Sequence, residues 1–282
     1  MKRILVTGGT GFIGNYVIGE LLKSDFKVIA TSLNPEKASK QIWFKNVEYI
    51  PFDIAKADYN INYFEYFRKP DSLIHLAWEG LPNYNQKFHL TDNLPRHTLF
   101  LKNIVENGLK DITVVGTCLE YGLQNGCLRE DSTPMPITFY GEAKNNLRIF
   151  IEELKKENNF CFKWLRLFYM YGEGQNQNSL FAQLKKALDN NEEVFNMSGG
   201  EQVRDYLSVE CMVNRIVKVA TQCKTEGIIN CCSGKPVKII DMVRKFIAES
   251  GKEIKLNLGY YNYPDYEPME FWGDVEKLNS AI

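Results

Sequence analysis

Short apolar runs alternate with longer segments of mixed polarity along the first 170 residues. The apolar runs predict strands at 3–8, 27–32, 47–53, 72–78, 112–117 and 162–168. The segments between them predict helices near 12–24, 59–68, 93–108 and 139–157. Nearly continuous apolar strands that alternate with helices indicate a parallel sheet covered on both faces. We therefore expect a doubly wound α/β fold.

The alternation weakens after residue 170, where a polar loop at 171–179 precedes a helix predicted near 180–190. Tyrosines and prolines concentrate in 258–272, a composition that favours an ordered loop over a pocket. We expect residues 1–170 to form one domain. Residues 171–282 should form mainly a smaller C-terminal lobe that binds substrate and is partly interleaved with the first domain.

Composition excludes several classes of protein. The 282 residues include 34 basic and 35 acidic side chains, so the net charge of -1 provides no overall field for binding nucleic acid or an anionic membrane. Met1-Lys2-Arg3 leads directly into the first predicted strand, and no apolar run approaches the length that spans a bilayer. We expect a cytoplasmic protein with no nucleic-acid or membrane partner.

Cysteine and histidine spacing predicts neither disulfides nor a metal site. The seven cysteines are an odd number without paired Cys-x-x-Cys motifs, and adjacent Cys231 and Cys232 are typical of strand packing. His75, His89 and His97 lack the spacing of metal ligands. The sequence therefore predicts reduced thiols and no bound metal.

A glycine-rich turn follows the first predicted strand. In TGGTGFIG, Gly8, Gly11 and Gly14 are three residues apart and lie between that strand and a helical segment. Glycine lets the backbone approach a diphosphate closely, and the helix directs its N-terminal amides at the anion. This context predicts that residues 1–170 form an NAD(P)-binding Rossmann domain.

The end of the second predicted strand bears on which dinucleotide is bound. An acidic residue there usually bonds both adenosine ribose hydroxyls and repels a 2′-phosphate. Ser32 holds that position, and Asn34 and Lys37 follow as further donors, so the sequence favours NADP(H) and leaves NAD(H) open. Asp53 could accept a hydrogen bond from the adenine amino group or cap the next helix.

Tyr140 and Lys144 lie four residues apart in TFYGEAKNN, so a helix would carry both on one face. That spacing alone fits either a catalytic pair or two surface residues. The motifs TGGTGFIG, HLAW, GTCLEYG, YGEAK, LRLFYMYGEG and QVRDYLSVE together resemble the extended short-chain dehydrogenase/reductase superfamily, in its nucleotide-sugar epimerase, dehydratase and reductase branch. The resemblance covers nearly the whole chain and identifies Tyr140 and Lys144 as the catalytic Tyr-x-x-x-Lys pair.

The resemblance also implies the role of each catalytic residue. Tyr140 would protonate a carbonyl oxygen, while Lys144 and the oxidised nicotinamide would lower the pKa of the phenol. Lys144 would also bond the nicotinamide ribose. Thr117 stands at the Ser/Thr position and would bond the reacting oxygen, although by itself it fits a strand-end hydroxyl bonded to the backbone. The residues expected to contact the cofactor are Gly8, Thr10, Gly11, Phe12, Ile13, Gly14, Ser32, Asn34, Lys37, Asp53, Ile54, Leu76, Ala77, Trp78, Tyr140 and Lys144.

The chain departs from the family at informative positions. Dehydratases of this branch carry an Asp-Glu pair directly after the Thr, whereas this chain has Cys118 and Leu119. Glu120 should point to the opposite face of an extended segment, so we do not expect dehydration. On the sixth strand Tyr169 replaces the usual Asn, so the diphosphate contact that the Asn provides in the family is not expected to carry over unchanged.

HLAWEGLPNY and EPMEFWGD resemble the branch that reduces 4-keto-6-deoxy sugars on nucleotides. By this resemblance Trp78, Glu79 and Tyr84 would line the hexose side of the pocket, and Trp272 would close it. Trp78 fits a core position equally well. Arg204 matches the arginine that binds the substrate diphosphate, and its alternative partner is the adjacent Asp205. The residues expected to contact substrate are Trp78, Glu79, Tyr84, Cys118, Arg204 and Trp272.

The resemblance therefore implies an NADPH-dependent reductase of the 4-keto group of a nucleotide-activated 6-deoxyhexose, most plausibly a dTDP sugar, in deoxysugar and surface-polysaccharide synthesis. An NAD-dependent nucleotide-sugar 4-epimerase uses the same Tyr, Lys and Thr and stays an alternative. A non-catalytic NADP-binding regulator is a second one. By analogy with the family, the helices near 93–108 and 139–157 would form a homodimer through a four-helix contact.

Overall fold

Fourteen strands and nine helices follow one another in the computed structural model, which describes residues 1–282. The strands are β1 (Arg3–Thr7), β2 (Lys27–Thr31), β3 (Glu48–Tyr49), β4 (Ser72–His75), β5 (Asp111–Thr117), β6 (Gly126–Leu128), β7 (Cys161–Leu167), β8 (Tyr169–Tyr171), β9 (Val194–Asn196), β10 (Val203–Ser208), β11 (Gly227–Cys231), β12 (Pro236–Lys238), β13 (Lys255–Asn257) and β14 (Phe271–Gly273). The helices are α1 (Phe12–Leu21), α2 (Pro35–Ser39), α3 (Tyr63–Tyr66), α4 (Leu94–Glu106), α5 (Phe139–Glu157), α6 (Leu180–Asp189), α7 (Val209–Ala220), α8 (Ile239–Ser250) and α9 (Glu276–Ala281).

Seven of these strands form one parallel sheet in the order β11-β7-β5-β4-β1-β2-β3. All seven residues of β5 are buried, as the continuous apolar run predicts for a strand covered on both faces. The strand order reverses between β1 and β4, and ligands of such sheets bind beside the carboxyl ends of the strands at that point. The expected doubly wound α/β fold is confirmed.

Helices cover the two faces of this sheet with separate hydrophobic cores. On one face α1 and α7 contribute Val17, Ile18, Val213 and Ile216 to a cluster of 24 buried residues. On the other face α4 and α5 pack with residues that surround α3 in a cluster of 18 buried residues. The carboxyl ends of the strands therefore carry loops whose positions are set by helices packed on both sides.

Some elements match the sequence pattern closely and others are shorter. Helix α5 spans the predicted 139–157, and the Thr138 side chain caps it by accepting from the Gly141 amide at 3.0 Å. Strand β3 covers two residues because it lies at the sheet edge and Pro51, which has no amide hydrogen, follows soon after. Helix α3 covers four residues because Arg68 and Lys69 both take positive φ angles, of 61° and 56°.

The C-terminal part of the chain contributes to both lobes. The small lobe contains α6 and α8 around a cluster of nine buried residues, with short sheets β12-β10-β8 and β13-β9. After residue 208 the chain returns to the large sheet, where α7 packs against α1 and β11 adds the seventh strand. Residues after 208 therefore contribute to the large sheet as well as to the smaller ones. No helix combines the length and apolarity needed to cross a bilayer.

Candidate active site

The glycine-rich turn joins β1 to α1 at the point where the strand order reverses. Gly8 has a φ of +71°, and a Cβ atom there would lie 2.9 Å from the Ala77 amide nitrogen. A Cβ atom at Gly14 would overlap the Gly8 carbonyl oxygen. The backbone therefore needs glycine at both positions, and the turn leaves the N-terminal amides of α1 open to an anionic group. This shape fits the diphosphate of a dinucleotide.

A cavity of about 190 Å³, which we call the glycine-turn cavity, lies beside this turn at the ends of β1, β2 and β4. Seven residues expected to contact the cofactor line it, namely Gly8, Thr10, Ser32, Asp53, Ile54, Ala77 and Trp78. Gly11, Phe12, Ile13 and Gly14 form the turn and the start of α1, and Leu76 directly precedes Ala77. The structure thus gathers seven of the sixteen predicted cofactor residues around one cavity and five more in the adjoining backbone.

Polar side chains at the end of β2 already have partners within the protein. The Ser32 hydroxyl lies 3.0 Å from the Tyr49 hydroxyl, and the Asn34 side chain accepts from the Lys37 amide at 2.8 Å as the cap of α2. Neither Asn34 nor Lys37 lines the glycine-turn cavity. Asp53 lines the cavity and also caps the next turn, accepting from the Ala55 amide at 3.0 Å. The capping alternative for Asp53 is therefore observed.

Arg96 and His97, which lie on α4, are among the residues of this cavity that the sequence did not predict. Arg96 is the one lysine or arginine in the lining, and it also lies 3.5 Å from Asp92. No motif marks these two residues, because they belong to a helix rather than to a strand end. Their position in the first turn of the helix that follows HLAW was the available signal.

Thr117, Tyr140 and Lys144 meet at the carboxyl end of β5. Thr117 is its last residue, and Tyr140 and Lys144 lie on the same face of α5, with exposed fractions of 6% and 2%. The Lys144 ammonium donates to the Val115 carbonyl at 2.9 Å and lies 4.1 Å from the centroid of the Trp78 ring and 6.0 Å from that of Tyr140. The predicted catalytic residues are therefore adjacent to the glycine-turn cavity through Trp78.

Burial is the main cause of the pKa shifts of Tyr140 and Lys144. It raises the pKa of the Tyr140 phenol well above its ordinary value, with smaller contributions from Tyr84 and Glu120, while hydrogen bonding with Thr117 lowers it. Burial lowers the pKa of Lys144 to about 7, and the charge of Glu120 opposes that change. The expected lowering of the phenol pKa involves the positive charge of the oxidised nicotinamide, so it stays a prediction for the complex with cofactor.

Glu120 is unavailable for proton transfer at this site. It is fully buried, and its carboxylate accepts from Arg166 Nε at 2.8 Å, Trp164 Nε1 at 2.9 Å and the Thr117 amide at 2.9 Å. These partners hold Glu120 within the protein core, away from the cavities, in agreement with the expectation that it faces away from the site. No acid and base pair for water elimination follows Thr117.

A second cavity of about 530 Å³, the interlobe cavity, lies between the two lobes beside Tyr84, Tyr169, Ser179, Gln202 and Glu267. The Tyr84 ring is centred 5.6 Å from the Tyr140 ring, and the Tyr84 carbonyl accepts from the Tyr140 amide at 3.0 Å. The Tyr140 ring therefore neighbours one lining residue of each cavity, Trp78 of the glycine-turn cavity and Tyr84 of the interlobe cavity. The predicted substrate contact of Tyr84 is compatible with this position.

The other predicted substrate residues lie elsewhere. Trp78 and Glu79 line the glycine-turn cavity rather than the interlobe cavity. Cys118 is buried in a small hydrophobic cluster with Tyr121 and Phe168. Trp272 lies on β14, where it pairs with Cys127 of β6. The structure does not bring Cys118 or Trp272 to the interlobe cavity, because each is held by packing or strand pairing.

Arg204 is also withdrawn from the cavity. It is 1% exposed and its Nη2 donates to Glu267 Oε2 at 3.0 Å, while the Tyr169 hydroxyl donates to the other oxygen of the same carboxylate. The alternative pairing of Arg204 with Asp205 is wrong, since Asp205 accepts instead from the amides of Ser233 and Gly234. Arg204 and Tyr169 together anchor Glu267 at the cavity wall.

One group of potential metal ligands lies at the amino ends of β5 and β7, away from the two cavities. Oxygen and sulfur atoms of Asp111, Cys161 and Cys223 lie within 4.8 Å of one another. The ammonium groups of Lys163 and Lys2 lie 2.6 Å and 2.9 Å from the Asp111 carboxylate. Two cations already neutralise this carboxylate, so the cluster is better suited to an ion-pair network than to a metal.

Comparison with known proteins places this geometry in a family. The NAD dependent epimerase/dehydratase family matches residues 4–232. A dTDP-6-deoxy-L-talose 4-dehydrogenase (NAD(+)) of Aggregatibacter actinomycetemcomitans is 32% identical over 272 residues, which cover 96% of this chain and 99% of that protein. A GDP-6-deoxy-D-talose 4-dehydrogenase of the same organism is 26% identical, over 99% of this chain and 91% of that protein.

A solved structure confirms the fold. MoeE5, determined in complex with UDP-glucuronic acid and NAD, superposes with a TM-score of 0.83 at 22% identity and covers 99% of this chain and 92% of its own. The resemblance to the extended short-chain dehydrogenase/reductase superfamily is therefore confirmed. The glycine-rich turn, the Tyr-x-x-x-Lys helix and these matches show that the chain belongs to the NAD dependent epimerase/dehydratase family and is an enzyme of that family.

Proposed function

We propose that this enzyme reduces the 4-keto group of a nucleotide-linked 6-deoxyhexose, most plausibly a dTDP sugar, with a nicotinamide dinucleotide as the hydride source. The observation that carries the proposal is the position of Tyr140 next to one lining residue of each cavity. Its ring is centred 6.0 Å from that of Trp78, which lines the glycine-turn cavity, and 5.6 Å from that of Tyr84, which lines the interlobe cavity. A sugar and a dinucleotide that fill the two cavities would meet at this phenol.

The chain's own residues handle the proton. When bound, the dinucleotide supplies the hydride, and a carbonyl that accepts hydride must also gain a proton at its oxygen. We assign the donor to Tyr140 because its ring neighbours one residue of each cavity, Trp78 and Tyr84, and because hydrogen bonding with Thr117 lowers the pKa of its phenol. Lys144, at 6.0 Å from the Tyr140 ring, stabilises the phenolate that remains.

Neutral donors in the interlobe cavity fit the diphosphate of a nucleotide sugar. Gln202 is 4% exposed and its Nε2 has no partner, and the Ser179 hydroxyl is likewise buried without one. Both residues line the cavity, and Ser179 stands at the N-terminus of α6 without capping it. An anion placed there would gain hydrogen bonds and the favourable end of the helix dipole. Since no lysine or arginine lines this cavity, these groups replace a guanidinium contact.

The names of the relatives support position 4 of a 6-deoxyhexose. Both relatives from Aggregatibacter actinomycetemcomitans are named 4-dehydrogenases of a 6-deoxytalose, one linked to dTDP and the other to GDP. Dehydrogenation at C4 is the reverse of the reduction proposed here. Because Cys118 and Leu119 replace the acidic pair of dehydratases and Glu120 is bound to Arg166, the site is suited to hydride transfer rather than to dehydration.

The choice between cofactors belongs to the same proposal. Position 32 is a serine rather than an acidic residue, and this favours NADP(H) because no negative charge there would repel a 2′-phosphate. Two observations favour NAD(H) instead: Ser32 and Asn34 already have protein partners, and one relative is named as NAD(+)-dependent. The ratio of kcat/KM for NADPH and NADH with the same sugar measures this preference.

The test is a substrate panel. Purified enzyme would be mixed with dTDP-, GDP- and CDP-4-keto-6-deoxyhexoses and NADPH or NADH, with absorbance at the nicotinamide band followed over time and the product configuration read by NMR. Consumption of reduced cofactor with formation of a 4-hydroxy sugar supports the proposal. Isomerisation of a UDP-hexose without added cofactor would instead identify the 4-epimerase. A Tyr140→Phe variant with full physiological activity would identify the regulator.

We also propose a homodimer through α4 and α5, which run beside each other on one face of the sheet. Ile149 on α5 is 43% exposed although it is apolar, and it lies on the outer surface of this helix pair. Covering it with a second copy would remove apolar surface from water. Light scattering should give twice the mass of the chain for the native protein and a lower mass for Ile149→Glu. A monomeric native protein would contradict the dimer.

A further inference from the structure

The three histidines of the chain form a cluster beside the Trp78 ring. The rings of His97 and His89 stack on Trp78 with centroid distances of 4.6 Å and 6.3 Å, and the His75 ring lies 4.9 Å from that of His97. His75, His89 and His97 are each between 0% and 3% exposed. None of them has a carboxylate partner, and the proposed proton transfer does not use them.

Hydrogen bonding determines which nitrogen of His75 carries the proton. The Thr7 hydroxyl oxygen accepts from the amides of Leu76 at 3.2 Å and Ala77 at 3.3 Å, so its own hydrogen is free to point to His75 Nδ1 at 2.9 Å. His75 Nδ1 is then an acceptor, and its proton lies on Nε2. His75 Nε2 in turn lies 2.8 Å from His97 Nδ1, to which it donates.

The same hydrogen-bond pattern determines which nitrogen of His97 carries the proton and that this nitrogen faces the glycine-turn cavity. Because Nδ1 of a neutral His97 accepts from His75, its one proton lies on Nε2. His97 lines the glycine-turn cavity together with Gly8 and Thr10, and Nε2 has no hydrogen-bond partner within the chain. The hydrogen-bonded series of Thr7, His75 and His97 therefore ends in a single N–H group that faces the cavity beside the glycine-rich turn.

We propose that His97 Nε2–H donates a hydrogen bond to an oxygen of the bound dinucleotide, either phosphate or ribose, and that Thr7 and His75 are positioning residues that hold His97 in this tautomer. The inference rests on the proposed use of a dinucleotide. It goes further because it assigns a cofactor contact to a histidine and gives a function to two buried residues on strands β1 and β4.

The electrostatics of the cluster agree with neutral imidazoles. Burial lowers the pKa of His75 to about 3, with a smaller contribution from the charge of Lys144. Burial also lowers the pKa of His97 well below its ordinary value, with His75 and Lys144 adding to the effect. A neutral donor can be oriented by hydrogen bonds without adding a second cation beside Lys144, whose ammonium lies 4.1 Å from the Trp78 ring centroid.

The first experiment reads the tautomers directly. With three histidines in the chain, a protein labelled with ¹⁵N at the histidine rings gives three ring spin systems at most. We expect all three to be neutral with the proton on Nε2 at pH 7, since His89 Nδ1 accepts from Trp78 Nε1 at 3.1 Å and His89 Nε2 donates to the Asn83 carbonyl at 3.0 Å. A proton on Nδ1 of His97, or a charged His97, overturns the proposal whether or not a dinucleotide binds.

The second experiment adds cofactor to the same sample. Saturation with NAD⁺ or NADPH should shift the Nε2–H signals of His97, while those of His89, whose Nε2–H is bonded to the Asn83 carbonyl, serve as the internal control. A shift already produced by ADP places the acceptor in the adenosine diphosphate half, and a shift seen only with the whole dinucleotide places it in the nicotinamide ribose half. Calorimetric binding without a His97 shift would refute this inference alone. Absence of any dinucleotide binding would refute the proposed function.

A pair of variants tests the contribution to affinity. His97→Gln keeps an N–H donor near the position of Nε2, whereas His97→Leu removes it, and both lose the ring that stacks on Trp78. We expect the Kd for the dinucleotide, measured by calorimetry, to rise about tenfold in His97→Leu and about threefold or less in His97→Gln, since losing one hydrogen bond to a phosphate or ribose oxygen has an effect of this order. Equal Kd values for the two folded variants would overturn the proposal. If either variant fails to fold, the wild-type NMR measurements decide it.

Discussion

Replacing Lys144 by methionine should make the protein more stable while it removes activity. Lys144 is 2% exposed and has no carboxylate within ion-pair distance, and its ammonium is held by the Val115 carbonyl and the Trp78 ring. Burial lowers the pKa of this lysine to about 7 from the ordinary 10.5. An ammonium group that loses its proton this readily in the folded state lowers the free energy of unfolding when it is charged.

The magnitude follows from that difference in pKa. At about 1.4 kcal/mol per pKa unit, the buried ammonium costs at most about 5 kcal/mol of stability below pH 7. Methionine cannot form the hydrogen bond to the Val115 carbonyl, and this loss reduces the gain in stability by about 1 kcal/mol. We therefore expect Lys144→Met to raise the free energy of unfolding by about 2–4 kcal/mol at pH 6.

The dependence on pH has a definite sign. Below pH 7 both the folded and the unfolded chain hold the Lys144 proton, so the full cost is present. Above pH 7 the folded protein releases this proton while the unfolded chain keeps it, so the native protein gains stability as the pH rises towards 10.5. The advantage of Lys144→Met should shrink by about 1.4 kcal/mol per pH unit between pH 7 and pH 9.

Urea unfolding at pH 6 and pH 9, followed by circular dichroism, measures these quantities. Lys163→Met is the matched control, because Lys163 is 0% exposed but lies 2.6 Å from the Asp111 carboxylate. Removing Lys163 leaves that carboxylate with one partner fewer and should destabilise the protein by about 3 kcal/mol. A Lys144→Met protein that is less stable than the native protein at pH 6, or whose advantage is the same at pH 6 and pH 9, would refute the reasoning.

Three further substitutions test other parts of the site. Tyr140→Phe should lower kcat by about 10²–10⁴-fold without changing the calorimetric Kd for the dinucleotide more than about threefold, since only proton transfer is lost; retention of kcat would remove Tyr140 from the reaction. Gly14→Ala should weaken dinucleotide binding at least about tenfold, because its Cβ would overlap a carbonyl oxygen of the turn, whereas Gly19→Ala, with no atom within 4 Å of the added carbon, should bind normally. Glu120→Gln should lower the free energy of unfolding in urea by about 3–5 kcal/mol through loss of the buried pair with Arg166, and an unchanged urea midpoint would contradict that role.

Local patterns in the sequence were sufficient to predict the elements that build the site. The apolar run of β5 and the periodic segment of α5 each extend over enough residues for their secondary structure to follow from repeat length alone. The glycine-rich turn could be located because glycine is required by backbone conformation at that position. Tyr140 and Lys144 share a helical face as a direct consequence of helix geometry.

Contacts between residues far apart in the chain could not be predicted in this way. Arg204 had an adjacent carboxylate at Asp205, yet it binds Glu267, which is 63 residues away. Ser32 and Asn34 were expected to be free donors, but Tyr49 and the Lys37 amide bind them. Which of several available partners a polar group binds depends on the packing of whole elements, and sequence spacing holds no information about it.

The sequence by itself determined the parallel α/β architecture, the glycine-rich turn and the shared helical face of Tyr140 and Lys144, because each depends on backbone conformation or on the period of one element. Only the tertiary structure decided that α7 and β11 return to the first sheet and that α4 brings Arg96 and His97 to the glycine-turn cavity. It also placed His75 between Thr7 and His97. These relationships arise where separate helices and strands pack together, and a side chain there is oriented by neighbours that no local pattern identifies.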